Sequence, residues 1–199
     1  MHSEIQKILN TIEFTQAEKN EWAYKFVIES DKHIDRCRWY FDRINPSPND
    51  KVFEIGPGCC YFLWFCREQG CSIAGTDWGI WNASSIYAKV RAAMGMNTVV
   101  EKKVEAYKPI DFLCSFDLIV CLLGTFQYQW PLGAHFYFLE DCRQHLTTHG
   151  KLILNFNDQN NLYIDRTAYE GHESINNNTY QFSKEDLALT KMNRAKFLL

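Results

Sequence analysis

A chain of 199 residues is long enough for one domain with a sizeable buried core, with or without a small appendage, and too short for two full enzymatic domains. Its 46% hydrophobic and 23% charged residues are ordinary for a globular protein, and no run approaches the roughly 18 apolar residues of a membrane span. Twenty-one Lys and Arg against twenty-four Asp and Glu leave a formal charge of -3, without the basic excess that gripping a phosphate backbone requires, so neither nucleic acid nor membrane is an expected partner.

The chain starts MHSEIQKILN, with acidic and polar residues where a secretory signal places positive charge and then an apolar block, so a cytoplasmic protein is expected. Residues 1–44 read as a helical cap. Thr15 followed by Glu18 has capping-box spacing, and Ile34, Cys37, Phe41 and Ile44 recur at helical intervals. The stretch NPSPND cannot continue a helix, because its prolines remove donors and restrict the residues before them, so it is read as the hinge into a second unit, residues 45–199.

From Lys51 short apolar strands alternate with helices: KVFEI, a helix through YFLWFCREQ, CSIAGTD, a helix through SSIYAKVRAAM closed by Gly95, and NTVV. FDLIVCLL, a helix through FYFLEDCRQHL and, after a turn at Gly150, GKLILNF follow. This alternation predicts an α/β fold with a doubly wound, mostly parallel sheet. Residues 158–180 are polar and Asn-rich without periodicity, and are expected to form a mobile lid. SKEDLALTKMN, capped by Ser183, predicts a last helix and RAKFLL a last strand. No internal repeat occurs. The eight cysteines form no C-x-x-C pair, and Cys37, Cys66, Cys121 and Cys142 lie among apolar or helical neighbours, so buried thiols are expected and a metal site is not.

The chemistry is concentrated in VFEIGPGCCY, a strand entering a glycine turn and then a helix. Gly56 and Gly58 permit a tight turn and let a ligand lie against bare backbone, while the helix start offers N–H groups to a carboxylate or phosphate. The second strand ends in Gly75-Thr76-Asp77, at the distance where an acidic side chain accepts from ribose hydroxyls, which together predicts an adenosine-containing ligand. Tyr61 occupies the last glycine position of a dinucleotide fingerprint, disfavouring NAD, and Glu54 beside the turn suits a ligand carrying positive charge.

In order and spacing, VFEIGPGCCYF, GTDW, FDLIVCLL and HLTTHGKLILNF resemble the class I S-adenosylmethionine-dependent methyltransferases, over residues 51–157. The resemblance implies a Rossmann-like methyltransferase fold, with Glu54, Gly56, Pro57 and Gly58 bordering the methionine end, Asp77 on the ribose and Trp78 along the adenine. It also implies that Glu105 and Ala106 meet the adenine edge, and that Cys121 and Leu122 line the methionine amino group and the route to the sulfonium. Cys60 departs from the pattern where the family often has a third glycine, and the chain ends where a final antiparallel hairpin is normally completed. Trp39 and Tyr40 are expected to serve helix packing rather than to close over the cofactor.

Residues 122–128 lack the Asn or Asp-Pro-Pro-aromatic tetrad of methyltransferases acting on planar exocyclic amines, and they lack a Pro-Cys nucleophile. With Phe126, Tyr128, Trp130, Phe136 and Tyr137 nearby, the expected acceptor is a small molecule in an aromatic-walled pocket, methylated on oxygen or nitrogen. His135 is the candidate general base, His149 reads as a helix-end residue, and His172 falls in the expected lid. The alternative is a catalytically silent methyltransferase-like module acting through a protein partner.

Overall fold

The computed structural model describes residues 2–77, 83–122, 130–155, 173–176 and 179–187. Trp78, the aromatics Phe126 and Tyr128, His172, most of the expected lid and the last predicted strand lie outside the described residues. The chain divides into two compact units, Met1–Asn49 with Pro57–Lys103, and Asp50–Gly56 with Val104–Leu199. Among the described residues the sheet has the strand order β3 (Val99–Glu101), β2 (Ser72–Asp77), β1 (Lys51–Ile55), β4 (Phe116–Cys121), β5 (Leu146–Asn155), β7 (Thr179–Ser183) and β6 (Glu173–Asn176).

The first unit opens with α1 (His2–Leu9), α2 (Gln16–Lys19), a 3-10 turn (Trp22–Tyr24), α3 (Lys25–Ile28) and α4 (Ser30–Ile44). The Thr15–Glu18 capping box forms as the spacing predicts, with both reciprocal bonds made. α4 buries Ile34, Tyr40 and Phe41. It stops at Asn45, whose left-handed φ of 49° precedes Pro46 and so cannot be followed by another turn of helix. The ring of Phe41 lies 5.8 Å from that of Phe65 on α5 (Tyr61–Glu68). Trp39 is half-buried under the Arg43 guanidinium, 3.6 Å from its ring centroid. After α5 come β2 (Ser72–Asp77), α6 (Ala83–Ala93) and β3 (Val99–Glu101), with β2 and β3 parallel. The Tyr61 hydroxyl donates to the Phe26 carbonyl at 2.9 Å, so the N-terminal helices are fastened to α5.

The second unit holds β1 (Lys51–Ile55), β4 (Phe116–Cys121), α7 (Leu132–His145), β5 (Leu146–Asn155), β6 (Glu173–Asn176) and β7 (Thr179–Ser183). β1 pairs with β4 and β4 with β5, all parallel, whereas β7 runs antiparallel to both β5 and β6. The core is the continuous apolar run expected of parallel strands, with Val52, Ile119, Val120, Leu152 and Ile153 fully buried. One carboxylate ties the entry of β1 to β5: Asp117 accepts from the Lys51 backbone N–H at 2.9 Å and from the Thr147 hydroxyl at 2.8 Å. The architecture is the mostly parallel α/β sheet with flanking helices that the alternating pattern predicts.

Three local expectations are corrected. Gly150 is no turn before a strand: β5 already starts at Leu146, and residues 147–150 bulge out between the pairs Phe116↔Leu146 and Leu118↔Lys151. A Cβ on Gly150 would lie 2.9 Å from the Phe116 carbonyl oxygen, so the glycine permits backbone contact inside the strand, and His149 belongs to β5 rather than to a helix end. The helix expected from Phe136 begins earlier, at Leu132. Finally, Glu173–Asn176 and Thr179–Ser183, from the segment read as aperiodic, pair as the antiparallel strands β6 and β7, with Thr179 and Phe182 buried and Asn155 donating to the Thr179 hydroxyl at 2.8 Å. A helical turn over residues 184–187 follows, capped as predicted by the Ser183 hydroxyl accepting from the Asp186 N–H.

None of the eight cysteines is in a disulfide. Cys59, Cys60, Cys66, Cys71, Cys121 and Cys142 are buried, Cys37 is half-buried and Cys114 is exposed. Among the described residues no helix is long and apolar enough to cross a membrane, and no group of His, Cys, Asp and Glu could hold a metal ion.

Candidate functional site

The candidate residues fall into two sets, one in each unit. In the first unit, Pro57 to Cys60 form a tight turn closed by the Cys60 N–H donating to the Pro57 carbonyl at 2.8 Å. Gly58 has φ +54°, open to glycine at no cost, and a Cβ there would stand 3.7 Å from the Tyr87 ring. Cys60, at the N-cap of α5, holds φ +61°, which in a residue with a side chain costs about 1–2 kcal/mol. The third glycine of the family pattern is therefore replaced at a position whose backbone still asks for glycine.

Asp77 ends β2 almost fully buried. Its Oδ2 accepts from Arg91 Nη1 at 2.8 Å, and Arg91 Nη2 donates to Glu101 Oε1 at 2.9 Å. Burial pushes the Cys59 thiol up to about 12 and raises the Tyr61 and Tyr87 phenols well above their ordinary values, so these three side chains stay neutral beside the Asp77 carboxylate at neutral pH.

In the second unit Glu54 is buried on β1, two residues before Gly56, which takes φ +71°. Its register partner on β4 is Val120, and the strand ends at the buried Cys121, followed by the buried Leu122. Glu105 and Ala106 are half-buried, and the Glu105 carboxylate lies 2.6 Å from Lys108 Nζ. His135 sits in the first turn of α7, only 4% exposed, with its ring 5.9 Å from that of Trp130, so a solvent-facing helix-start histidine is not what the fold contains.

Sequence reasoning missed Arg91, Glu101 and Tyr87. An arginine within SSIYAKVRAAM reads as a surface cation of an amphipathic helix, and only the tertiary meeting with Asp77 reveals its burial. The available signal was the acidic pair at the ends of consecutive strands, which needs a cation between them.

No protein-family model matches the sequence, and no curated protein is significantly similar to it. Among solved structures, the chain is similar to the glycopeptide N-methyltransferase MtfA in complex with sinefungin, with 12% identity, a TM-score of 0.50, and 81% of this chain and 74% of that one covered. A methyltransferase of Thiobacillus denitrificans in complex with S-adenosylhomocysteine matches at 14% identity and TM-score 0.46, over 61% of this chain and 48% of that one. YjhP of Escherichia coli matches at 15% identity and TM-score 0.46, over 77% and 55%. The chain spans about half the length of these last two structures. Taken with the strand order and its antiparallel β7, the likeness shows that the chain has the fold of the class I S-adenosylmethionine-dependent methyltransferases.

Proposed function

We propose that the chain is an S-adenosylmethionine-dependent methyltransferase that transfers a methyl group to an oxygen or nitrogen of a small-molecule acceptor. The observation that carries this reading is Asp77, a buried carboxylate at the carboxyl end of a parallel strand, in the same compact unit as the Pro57–Cys60 turn. Gly58, with its positive φ, leaves the backbone of the turn bare, which fits close approach of a ligand.

In this reading Glu54, Gly56, Pro57 and Gly58 hold the methionine end, with the Glu54 carboxylate opposite the ammonium. Asp77 accepts from the ribose hydroxyls, Trp78 lies along the adenine, Glu105 and Ala106 meet its edge, and Cys121 and Leu122 line the way to the acceptor. When bound, S-adenosylmethionine supplies a methyl group already activated on a sulfonium, so the chain's task is to hold the acceptor in line and exclude water. His135 takes the proton where the acceptor has one to lose. Residues 1–44 act as a helical cap and residues 45–199 as the binding domain of a cytoplasmic protein.

The test is calorimetry with S-adenosylhomocysteine, followed by a methyl-transfer screen against metabolite pools. Binding is expected. Asp77→Ala should weaken it tenfold or more, because charge-assisted hydrogen bonds are worth roughly 1.5–3 kcal/mol each, and Asp77→Asn, which keeps the shape beside Arg91, should weaken it similarly. An affinity unchanged within twofold in both variants removes Asp77 as the ribose ligand. Binding without any methyl transfer favours the silent module.

A further inference from the structure

Asp77 and Glu101 are register partners at the carboxyl ends of two adjacent parallel strands, which sets their backbones about 4.8 Å apart. Two carboxylates at that spacing repel each other. Arg91 lies between them with one arm on each: 2.8 Å from Asp77 Oδ2, 2.9 Å from Glu101 Oε1. The two ends of this fork differ. The Arg91 and Asp77 side chains are 7% and 9% exposed, whereas that of Glu101 is 51% exposed. The Asp77 arm is thus a desolvated charge-assisted bond, and the Glu101 arm is screened by water.

Two neutral side chains also meet this trio. From the turn after β1, Cys59 faces Asp77 and Arg91, and from α6 so does Tyr87, both neutral. From the segment after β3, Lys102 reaches Asp77 through its backbone, its N–H donating to the Asp77 carbonyl at 2.9 Å. A lysine at position 91 would bring a point charge without the fork that serves two carboxylates at once.

We propose that Arg91 is the positioning residue for nucleoside binding: it fixes the rotamer and the charge of Asp77, so that a ribose diol meets a preformed acceptor. This rests on the reading of Asp77 as the ribose ligand. With Arg91 removed, Asp77 still faces Glu101 in a buried setting and takes up a proton at higher pH, losing its value as an acceptor.

The experiment measures S-adenosylhomocysteine affinity by calorimetry from pH 8 to pH 5 for the full chain, Arg91→Lys, Arg91→Met and Arg91→Met/Glu101→Gln, with thermal unfolding as the check on folding. The unmodified chain should bind with nearly constant affinity over this range. Arg91→Met should bind at least tenfold more weakly and lose a further several-fold towards pH 5, Arg91→Lys should fall between, and the added Glu101→Gln should restore part of the acid-side loss. An unmodified chain that binds no S-adenosylhomocysteine overturns the ribose reading and this inference with it. Binding by the unmodified chain with a parallel, merely displaced pH profile in Arg91→Met, and no rescue by Glu101→Gln, overturns this inference alone. Failure of both Arg91→Lys and Arg91→Met to fold assigns the residue to the fold and overturns it likewise.

Discussion

Lys89 of α6 donates through Nζ to Glu18 Oε2 at 2.7 Å, the same oxygen that accepts from the Thr15 N–H and hydroxyl in the capping box. A second bond from Lys89, to the Glu13 carbonyl at 3.0 Å, fastens the chain just ahead of that box. The Lys89 bond, and after it the Thr15 N–H, hold the Glu18 carboxyl down to about 2. A carboxylate depressed on folding contributes stability above its unfolded value near 4.5, and this is lost as pH falls towards 2. Lys89→Met should therefore flatten the stability loss between those limits in urea titrations, and speed amide exchange at residues 15–19.

His33 gives a second acid-sensitive window, higher in pH. Its ring is buried 4.5 Å from that of Phe26, with Nδ1 3.2 Å from Arg36 Nη2, and burial first and the Arg36 charge second push it down to about 4. The unfolded chain binds the extra proton below about 6.5, so the stability held above that value drains away as pH falls to about 4. The loss amounts to about 3 kcal/mol. His33→Phe should abolish this limb while leaving the one due to Glu18, a separation that unfolding curves at pH 7, 5 and 3.5 will read.

Two glycines should respond oppositely to alanine. At Gly150 the new methyl meets backbone on two sides, the Phe116 carbonyl oxygen at 2.9 Å and the Thr147 nitrogen at 3.0 Å, and backbone inside a sheet cannot give way. Gly150→Ala should cost about 1–3 kcal/mol by overpacking. At Gly133 the obstacle is the Tyr107 hydroxyl at 2.8 Å, the far end of a side chain that is 55% exposed and able to swing aside. Gly133→Ala should be neutral or gain up to about 0.5–1 kcal/mol from helix propensity. Thermal unfolding of the two variants decides both.

For His135, burial makes alanine a poor probe because it leaves a cavity, so His135→Asn is the informative change. Turnover on an identified acceptor should fall at least about a hundredfold, with S-adenosylhomocysteine affinity within twofold of the unmodified chain. A variant that keeps most of its activity from pH 6 to pH 9 leaves acceptor positioning as the whole catalytic account.

The elements from β1 to β4 were legible because each announces itself locally: a run of buried apolar residues such as KVFEI, then a glycine turn that admits only a helix start. The hairpin was not, because β6 and β7 lie at the sheet's end and carry Asn, Ser and Gln among few apolar residues; Tyr180 and Phe182 alternating with Thr179, Gln181 and Ser183 in TYQFS were its one sign. Gly150 misled for a similar reason. Glycine marks a turn and a close backbone approach equally well, and the choice depends on Phe116, thirty-four residues earlier. At the candidate site the glycine turn and Asp77 were visible as motif, while the guanidinium that holds Asp77 is a tertiary fact with no local spelling.

The distribution of thiols makes the chain its own reporter. Cys114 is the exposed one of eight, while Cys59 and Cys142 keep their protons well past neutrality, through burial first and then the neighbouring carboxylates Asp77 and Asp141. An alkylating reagent added to the native protein thus reaches Cys114 first, ahead of the half-buried Cys37. Six further sulfurs become available only at the pace at which the interior opens, so the mass ladder that grows with time counts excursions from the folded state, element by element from α5 and β4 to α7.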